Sequence, residues 1–188
     1  MDLQSWIAAE HASLHDRLFD NVIDRVPPER WSEQADGGGS SIAWLLLHLG
    51  RHQDLAVSTA VRDHEPLFVA HRAALGLDGA DAWAGLPEHE DRGISLVVDP
   101  ARLVEYLEAV FDATRQSQLG SMALDTVPDT TERLERLAGI TAADVDWLHR
   151  MWADRPVWWL VQWPVLGHGN AHIGEAISVR NRLGYSPF

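Results

Sequence analysis

Two histidines near the C-terminus have a spacing that suits metal binding. His168 and His172 lie four residues apart within residues 165–183, VLGHGNAHIGEAISVRNRL. On an α-helix this spacing places both imidazoles on one face, about 40° apart and roughly 6 Å along the axis. Because neutral imidazole is the commonest metal ligand in proteins, the pair suggests a shared ion. The alternative is a pair of core histidines that hydrogen-bond to carbonyls or water.

The residues around this pair indicate that it faces the protein interior. At about 100° per residue, Val165, Ala176 and Val179 fall on the same side as His172, whereas the arginines of the segment point elsewhere. Imidazole nitrogens in an apolar stripe must have hydrogen-bond or metal partners. The pair therefore marks a buried polar site of one of those two kinds.

Two further histidine pairs share the four-residue spacing. His48 and His52 lie in residues 42–62, IAWLLLHLGRHQDLAVSTAVR, which are apolar almost all round at their start and predict the most buried helix. His11 and His15 lie in a helix with more charge, and we expect them at the boundary of a half-exposed face. They are the internal competitors for a metal ion.

The composition narrows the possible chemistry. The chain has no cysteine, which excludes a thiolate nucleophile, a CxxC redox pair and zinc-finger chemistry. All 15 of its lysine-or-arginine residues are arginine, which excludes a Schiff base or a lysine general base. A metal would therefore be held by nitrogen and oxygen atoms.

Length and charge bound the class of protein. With 188 residues, 46% of them apolar, the chain predicts one domain over 1–188 with a full core. A net charge of −13 argues against nucleic acid as a partner, because non-specific binding to phosphate backbones depends on clustered basic residues. The N-terminus lacks the pattern of a signal peptide, and no run approaches the roughly 20 apolar residues of a membrane span. We expect a cytoplasmic protein without a membrane partner.

Four long segments with helical periodicity predict an all-α four-helix bundle with long crossover connections. They are residues 3–26, 42–62, 101–119 and the segment that contains the C-terminal histidine pair. A serine at 40 or 41 and Asp99 are the expected N-caps, and Pro164 should kink or restart the last helix one turn before the histidines. The long connection 63–99 is either a lid or pocket wall, or a solvated crossover.

Five of the nine tryptophans crowd the approach to the final helix. They are Trp147, Trp152, Trp158, Trp159 and Trp163. An aromatic cluster at this place is explained most simply as core, and it equally suits the wall of a pocket.

The order and separation of several motifs resemble the DinB-like superfamily of four-helix bundles. The matching pieces are residues 44–49, WLLLHL, residues 168–175, HGNAHIGE, and residues 182–184, RLG. The resemblance covers nearly the whole chain. The superfamily includes metal-dependent thiol transferases and mycothiol-dependent isomerases, and it commonly uses one histidine from the second helix and two from the fourth.

The resemblance implies that His48, His168 and His172 bind a divalent metal. Zinc or nickel best suits three nitrogen ligands with an open position. The resemblance also implies a transferase or isomerase that uses a low-molecular-weight thiol such as mycothiol on a small-molecule substrate. The alternative is a non-catalytic metal-binding or stress-associated bundle whose histidine site is structural. His52 is an additional histidine one turn from His48, and we also allow for a homodimer.

Further polar residues complete the predicted site. Glu175 borders the histidine face and is expected to orient a ligand or shuttle a proton, unless it is a solvated surface carboxylate. Four arginines are the expected anchors for an anionic substrate or for the carboxylate of a cofactor thiol, because arginine binds carboxylates in bidentate fashion. They are Arg51, Arg62, Arg72 and Arg92. In that case at least one lines the cavity above the histidines; otherwise they only offset an acidic surface.

Overall fold

The computed structural model describes residues 1–188, and helices are its only regular secondary structure. Its nine α-helices are α1 (Leu3–Leu18), α2 (Ile42–Asp54), α3 (Phe68–His71), α4 (Asp91–Ser95), α5 (Pro100–Gln116), α6 (Thr130–Ala138), α7 (Asp146–Trp152), α8 (Val157–Leu160) and α9 (His168–Arg182). Three π-helical segments extend α1, extend α2 and join α8 to α9: they are Phe19–Ile23, Leu55–Val61 and Val161–Gly167. The expected all-α fold is confirmed.

Four of these helices, α1, α2, α5 and α9, form a bundle. Helix α2 packs along both α5 and α9, and α1 also packs against both of them. Their apolar faces contribute to the larger of two buried apolar clusters. The predicted four-helix bundle with long crossovers is therefore the observed architecture. None of the helices combines the length and the hydropathy that crossing a bilayer requires.

Helix α2 lies at the centre of the fold, and all of its residues are buried, as its composition predicted. Its N-cap is Ser41, whose Oγ accepts a hydrogen bond from the Trp44 N–H at 3.2 Å. The Asp91 carboxylate accepts from the N–H and the Oγ of Ser41, at 2.9 and 2.7 Å. Gly50 allows α5 to approach closely, since a Cβ there would lie 3.0 Å from the Leu107 side chain. These contacts fix where along the bundle the α2 histidines project.

The start of α9 is shaped by Pro164. Proline has no N–H to donate within a helix, so an ordinary α-helical turn cannot close at this residue. The chain instead forms a wide π-helical segment, and the His168 N–H donates to the Trp163 carbonyl, five residues earlier. The kink expected from the sequence is thus a π-helical widening that ends immediately before the first of the two α9 histidines.

The long connections are folded onto the bundle. Helices α3 and α4 lie between the extension of α2 and α5, and α6 and α7 lie between α5 and α8. The buried Asp54 carboxylate holds the start of the first connection by accepting from the N–H groups of Leu67 and Phe68, at 3.0 and 2.9 Å. Helices α6, α7 and α8 pack with the extension of α2 in the second apolar cluster. Both connections therefore bring side chains to the region where α2 meets α9.

Candidate metal centre

Three imidazoles from α2 and α9 meet through their Nε2 atoms. The Nε2 of His168 lies 3.2 Å from the Nε2 of His48 and 3.1 Å from the Nε2 of His172. Helix packing makes this possible, because α2 and α9 run against each other and the four-residue spacing keeps the α9 pair on one face. The structure thus brings together the three histidines that the resemblance implied. Their role as metal ligands stays a prediction.

The orientation of His48 is set by a backbone carbonyl. Its Nδ1 donates to the Gly85 carbonyl at 2.9 Å, which leaves a lone pair on Nε2. Gly85 has a φ of +82°, a conformation that favours glycine, and a Cβ there would lie 3.0 Å from the Leu47 side chain. The Trp44 ring stacks on the imidazole with centroids 4.4 Å apart. His48 therefore presents one nitrogen in a fixed direction.

Arg51 holds the loop that supplies this carbonyl. Its Nε donates to the Ala84 carbonyl at 3.1 Å and its Nη2 to the Ala82 carbonyl at 2.6 Å. The guanidinium lies 3.7 Å from the centre of the Phe68 ring, and the side chain is fully buried. Its Nε and Nη2 thus donate to protein backbone, whereas its buried Nη1 has no hydrogen-bond partner. Arg51 therefore positions the backbone next to Gly85, where the sequence had suggested an anchor for a carboxylate.

The other predicted arginines also lie away from the histidines. The Nη1 of Arg72 donates to the Ala80 carbonyl at 3.1 Å, whereas Arg62 and Arg92 are exposed. None of the four arginines lines the cleft in front of the histidines. The expectation that at least one of them would do so is wrong. The physical reason is that a guanidinium can donate to backbone carbonyls as well as to carboxylates, as Arg51 and Arg72 do, and the sequence does not distinguish the two uses.

Glu175 is bonded to the outer nitrogen of His172. Its Oε2 accepts from the His172 Nδ1 at 3.1 Å, and this hydrogen bond is the main cause that holds the pKa of the Glu175 carboxyl below its ordinary value. The bond fixes the proton of His172 on Nδ1 and leaves Nε2 free to bind a cation. Carboxylates commonly orient metal-binding histidines in this way. Of the roles considered for Glu175, the geometry supports that of orienting a ligand.

Burial keeps the central histidines neutral. It lowers the pKa of His48 to about 4 and that of His168 to about 2, and it lowers the pKa of His52 well below its ordinary value. Only neutral imidazole can coordinate a metal. The Nδ1 of His168 and the Nε2 of His52 are buried without a hydrogen-bond partner, and such atoms cost about 1–3 kcal/mol each. The donor set and the unpartnered His52 nitrogen fit a divalent metal better than a closed hydrogen-bond network.

His52 is part of the same cluster. Its ring centroid lies 4.1 Å from that of His168 and 4.6 Å from that of His48. One nitrogen from each of these three residues can be chosen so that all lie within 4.8 Å of one another. The sequence carried a signal for this, because His48 and His52 have the same spacing as the α9 pair, but nothing in the sequence assigned His52 a role.

The histidines form the floor of an open cleft of about 580 Å³. The other lining residues come from the connection after α2, from α7 and from the segment before α9: Leu86, Pro87, Glu88, His89, Trp147, Met151 and Trp163. The connection 63–99 thus supplies one wall, as one of its two interpretations predicted. The tryptophan cluster divides, since Trp152 is buried in the core whereas Trp147 and Trp163 face the cleft. The pocket-wall interpretation of the cluster therefore applies to Trp147 and Trp163, and α7 also contributes Met151, which the sequence did not single out.

The competing histidine pair on α1 binds protein groups. The Nε2 of His11 lies 2.9 Å from the Nε2 of Gln53, which donates to it. The Nε2 of His15 lies 3.2 Å from the Glu108 carboxylate. His11 is buried rather than half-exposed, whereas His15 lies at the boundary as expected. Both are engaged away from the candidate metal centre.

Comparison with known families agrees with the fold. A model of the DinB superfamily matches residues 11–176, and the chain therefore belongs to the DinB superfamily. The match contains α2 and the α9 histidine pair. Comparison with curated proteins gave no match, and comparison with solved structures gave none either.

Proposed function

We propose that this protein is a metal-dependent enzyme that transfers or rearranges groups with the help of a low-molecular-weight thiol such as mycothiol. The observation that carries the proposal is the convergence of the Nε2 atoms of His48, His168 and His172 at the floor of an open cleft. Three neutral nitrogen ligands suit zinc or nickel. A cleft above them supplies the space that a reacting molecule requires.

Different residues of the chain would have different roles in the reaction. A divalent ion held here would supply Lewis acidity that lowers the pKa of a bound thiol. The thiol must come from a small molecule, because the chain has no cysteine. Glu175 and the Gly85 carbonyl hold protons on the outer nitrogens of two histidines and so keep the inner nitrogens unprotonated. Trp147 and Trp163 limit the access of water from the sides of the cleft.

The walls of the cleft favour a substrate with an apolar or aromatic part. Trp147, Met151 and Trp163 offer flat or polarisable surfaces, and Glu88 is the one acidic side chain on the rim. Because no arginine lines the cleft, an anionic group of the substrate has no cationic partner there other than the metal itself. The proposed substrate is therefore a small electrophile with an apolar body.

The test begins with metal analysis of the protein purified without a histidine tag. The metal-loaded protein is then assayed for conjugation of 1-chloro-2,4-dinitrobenzene with mycothiol, glutathione or cysteine. We expect metal-dependent acceleration that is absent from the chelated protein and from the His168→Ala variant. A metal-loaded protein that accelerates none of these reactions would count against the thiol-dependent enzyme.

A non-catalytic metal-binding protein is the second candidate, and the packing around the cluster favours it. Trp44 stacks on His48, and His52 lies near both Trp147 and Trp152, with ring centroids 5.9 and 6.0 Å away. In that case the ion would stabilise the bundle. Its removal would then lower the unfolding temperature strongly, and no thiol would react faster in its presence.

A further inference from the structure

His52 occupies the position of a further ligand to the proposed ion. It follows His48 by one turn of α2, as His172 follows His168 on α9, so two facing helices each present an i, i+4 pair. The ring centroid of His52 is closer to that of His168 than the His48 centroid is, at 4.1 against 5.0 Å. The cluster is therefore formed by four imidazoles rather than three.

The unpartnered nitrogen of His52 points to a ligand. The side chain is 2% exposed, and its Nε2 has no hydrogen-bond partner although it is fully buried. Buried polar atoms in native proteins nearly always have a partner. The neighbouring side chains on its other sides are the rings of Trp147 and Trp152, and no hydrogen bond joins either ring to His52. A cation bound by the cluster would supply the missing partner.

We infer that His52 is a fourth nitrogen ligand of the ion held by His48, His168 and His172. This inference rests on the metal site of the proposed function. Ligand nitrogens around a tetrahedral zinc ion lie roughly 3.3 Å apart, because each metal–nitrogen bond is about 2 Å long. Nitrogens of His48, His52 and His168 already lie within 4.8 Å of one another. Zinc can expand to five ligands, so a fourth imidazole is compatible with a position for substrate.

The number of bound imidazoles in the wild-type protein is the first test, and it needs no variant. X-ray absorption spectroscopy of the zinc-loaded protein counts imidazole ligands from their multiple-scattering signal. We expect four, and three in the His52→Phe variant, which keeps a ring of similar size. His149→Phe is the matched control, because His149 is also buried with one unpartnered ring nitrogen, its Nδ1, but lies outside the cluster, and its Nε2 lies 3.0 Å from the Ile140 carbonyl.

Zinc affinity, measured by competition with a chromophoric chelator, is the second test. His52→Phe should raise the dissociation constant at least about tenfold, the lower end of the loss seen even for residues outside the coordination shell. His149→Phe should leave the constant unchanged. Three imidazoles in the wild-type protein, together with an unchanged constant in His52→Phe, would overturn the inference and leave the proposed function standing. Four imidazoles without any thiol-dependent reaction would support the inference and contradict the proposed activity.

Discussion

At the scale of single residues, the site depends on which nitrogen of each histidine carries the proton. The Gly85 carbonyl and the Glu175 carboxylate each hold a proton on an outer Nδ1 and so leave Nε2 with a lone pair. Spacing in the sequence identified His168 and His172, the family resemblance added His48, and the sequence placed Glu175 beside the C-terminal pair. It gave no reason to single out Gly85, because a backbone carbonyl belongs to every residue and its direction depends on the fold.

Removal of the Glu175 carboxylate is expected to weaken metal binding without unfolding the protein. In Glu175→Gln the charge that orients His172 is lost, and such changes typically cost about 10- to 100-fold in metal affinity. Competition with a chelator measures the effect. Glu105→Gln, at another exposed carboxylate, should bind metal like the wild type. Equal affinities for all three proteins would show that Glu175 is only a surface carboxylate.

Removal of the His172 imidazole should reduce metal content strongly and leave the helices intact. The bundle has an apolar core of its own, so its folding does not depend on the ion, in contrast to small metal-folded domains. Elemental analysis and far-ultraviolet circular dichroism of His172→Ala report the two effects separately. A helical signal lost together with the metal would favour the structural role of the site.

At the scale of elements, local sequence patterns predicted the bundle helices, whereas tertiary packing determined the walls of the site. The caps at Ser41 and Asp99 and the restart at Pro164 follow from chemistry within one or two turns of the residue itself. Trp147 reaches the cleft because α7 packs against α6, which in turn packs on the extension of α2, and local periodicity does not encode these contacts. The carbonyl partners of Arg51 likewise lie more than 30 residues away in the chain, so the sequence could not indicate them.

Truncation of the Arg51 side chain is expected to loosen the loop that orients His48. Arg51→Met keeps an apolar stem but loses two charged hydrogen bonds to backbone carbonyls, and each such bond is worth about 1.5–3 kcal/mol. Urea unfolding of the metal-free protein should show a loss of roughly 2–4 kcal/mol, and metal affinity should also fall. Arg62→Met changes an exposed side chain and should stay within about 0.5 kcal/mol of the wild type. Similar midpoints for both variants would contradict the positioning role of Arg51.

At the scale of the whole molecule, buried neutral histidines make the fold sensitive to acid. Burial lowers the pKa of His11 to about 4, with nearby Arg115 and His15 acting in the same direction, and burial lowers that of His48 to about 4 as well. Between pH 6.5 and 4 the unfolded chain therefore binds protons that the folded protein does not bind. The free energy of unfolding is therefore at its full value above the pKa of histidine in the unfolded chain, and it decreases as the pH falls through this window.

The expected acid sensitivity can be assigned to one residue with a variant that does not titrate. At pH 4 the proton that buried His11 does not take up lowers the free energy of unfolding by about 3 kcal/mol relative to neutral pH. The free energy of unfolding of the wild type should therefore fall more steeply on acidification than that of His11→Gln. Urea unfolding of the metal-free proteins at several pH values measures both slopes. His64→Gln, at an exposed histidine, should keep the wild-type slope. Parallel slopes for the wild type and His11→Gln would contradict the assignment.

The π-helical segment before His168 makes the length of the chain at this point as important as its composition. A π-helical turn closes over five residues where an α-helical turn closes over four, so it accommodates one residue more. Deletion of Pro164 itself would remove the residue that prevents an α-helical turn, would let the helix close as an ordinary α-helix and would rotate α8 by about 100° relative to the α9 histidines. Val157 and Leu160 would leave their apolar cluster, and Trp163 would leave the cleft. Loss of this one residue would thus damage the site while every histidine of the cluster remained in the protein.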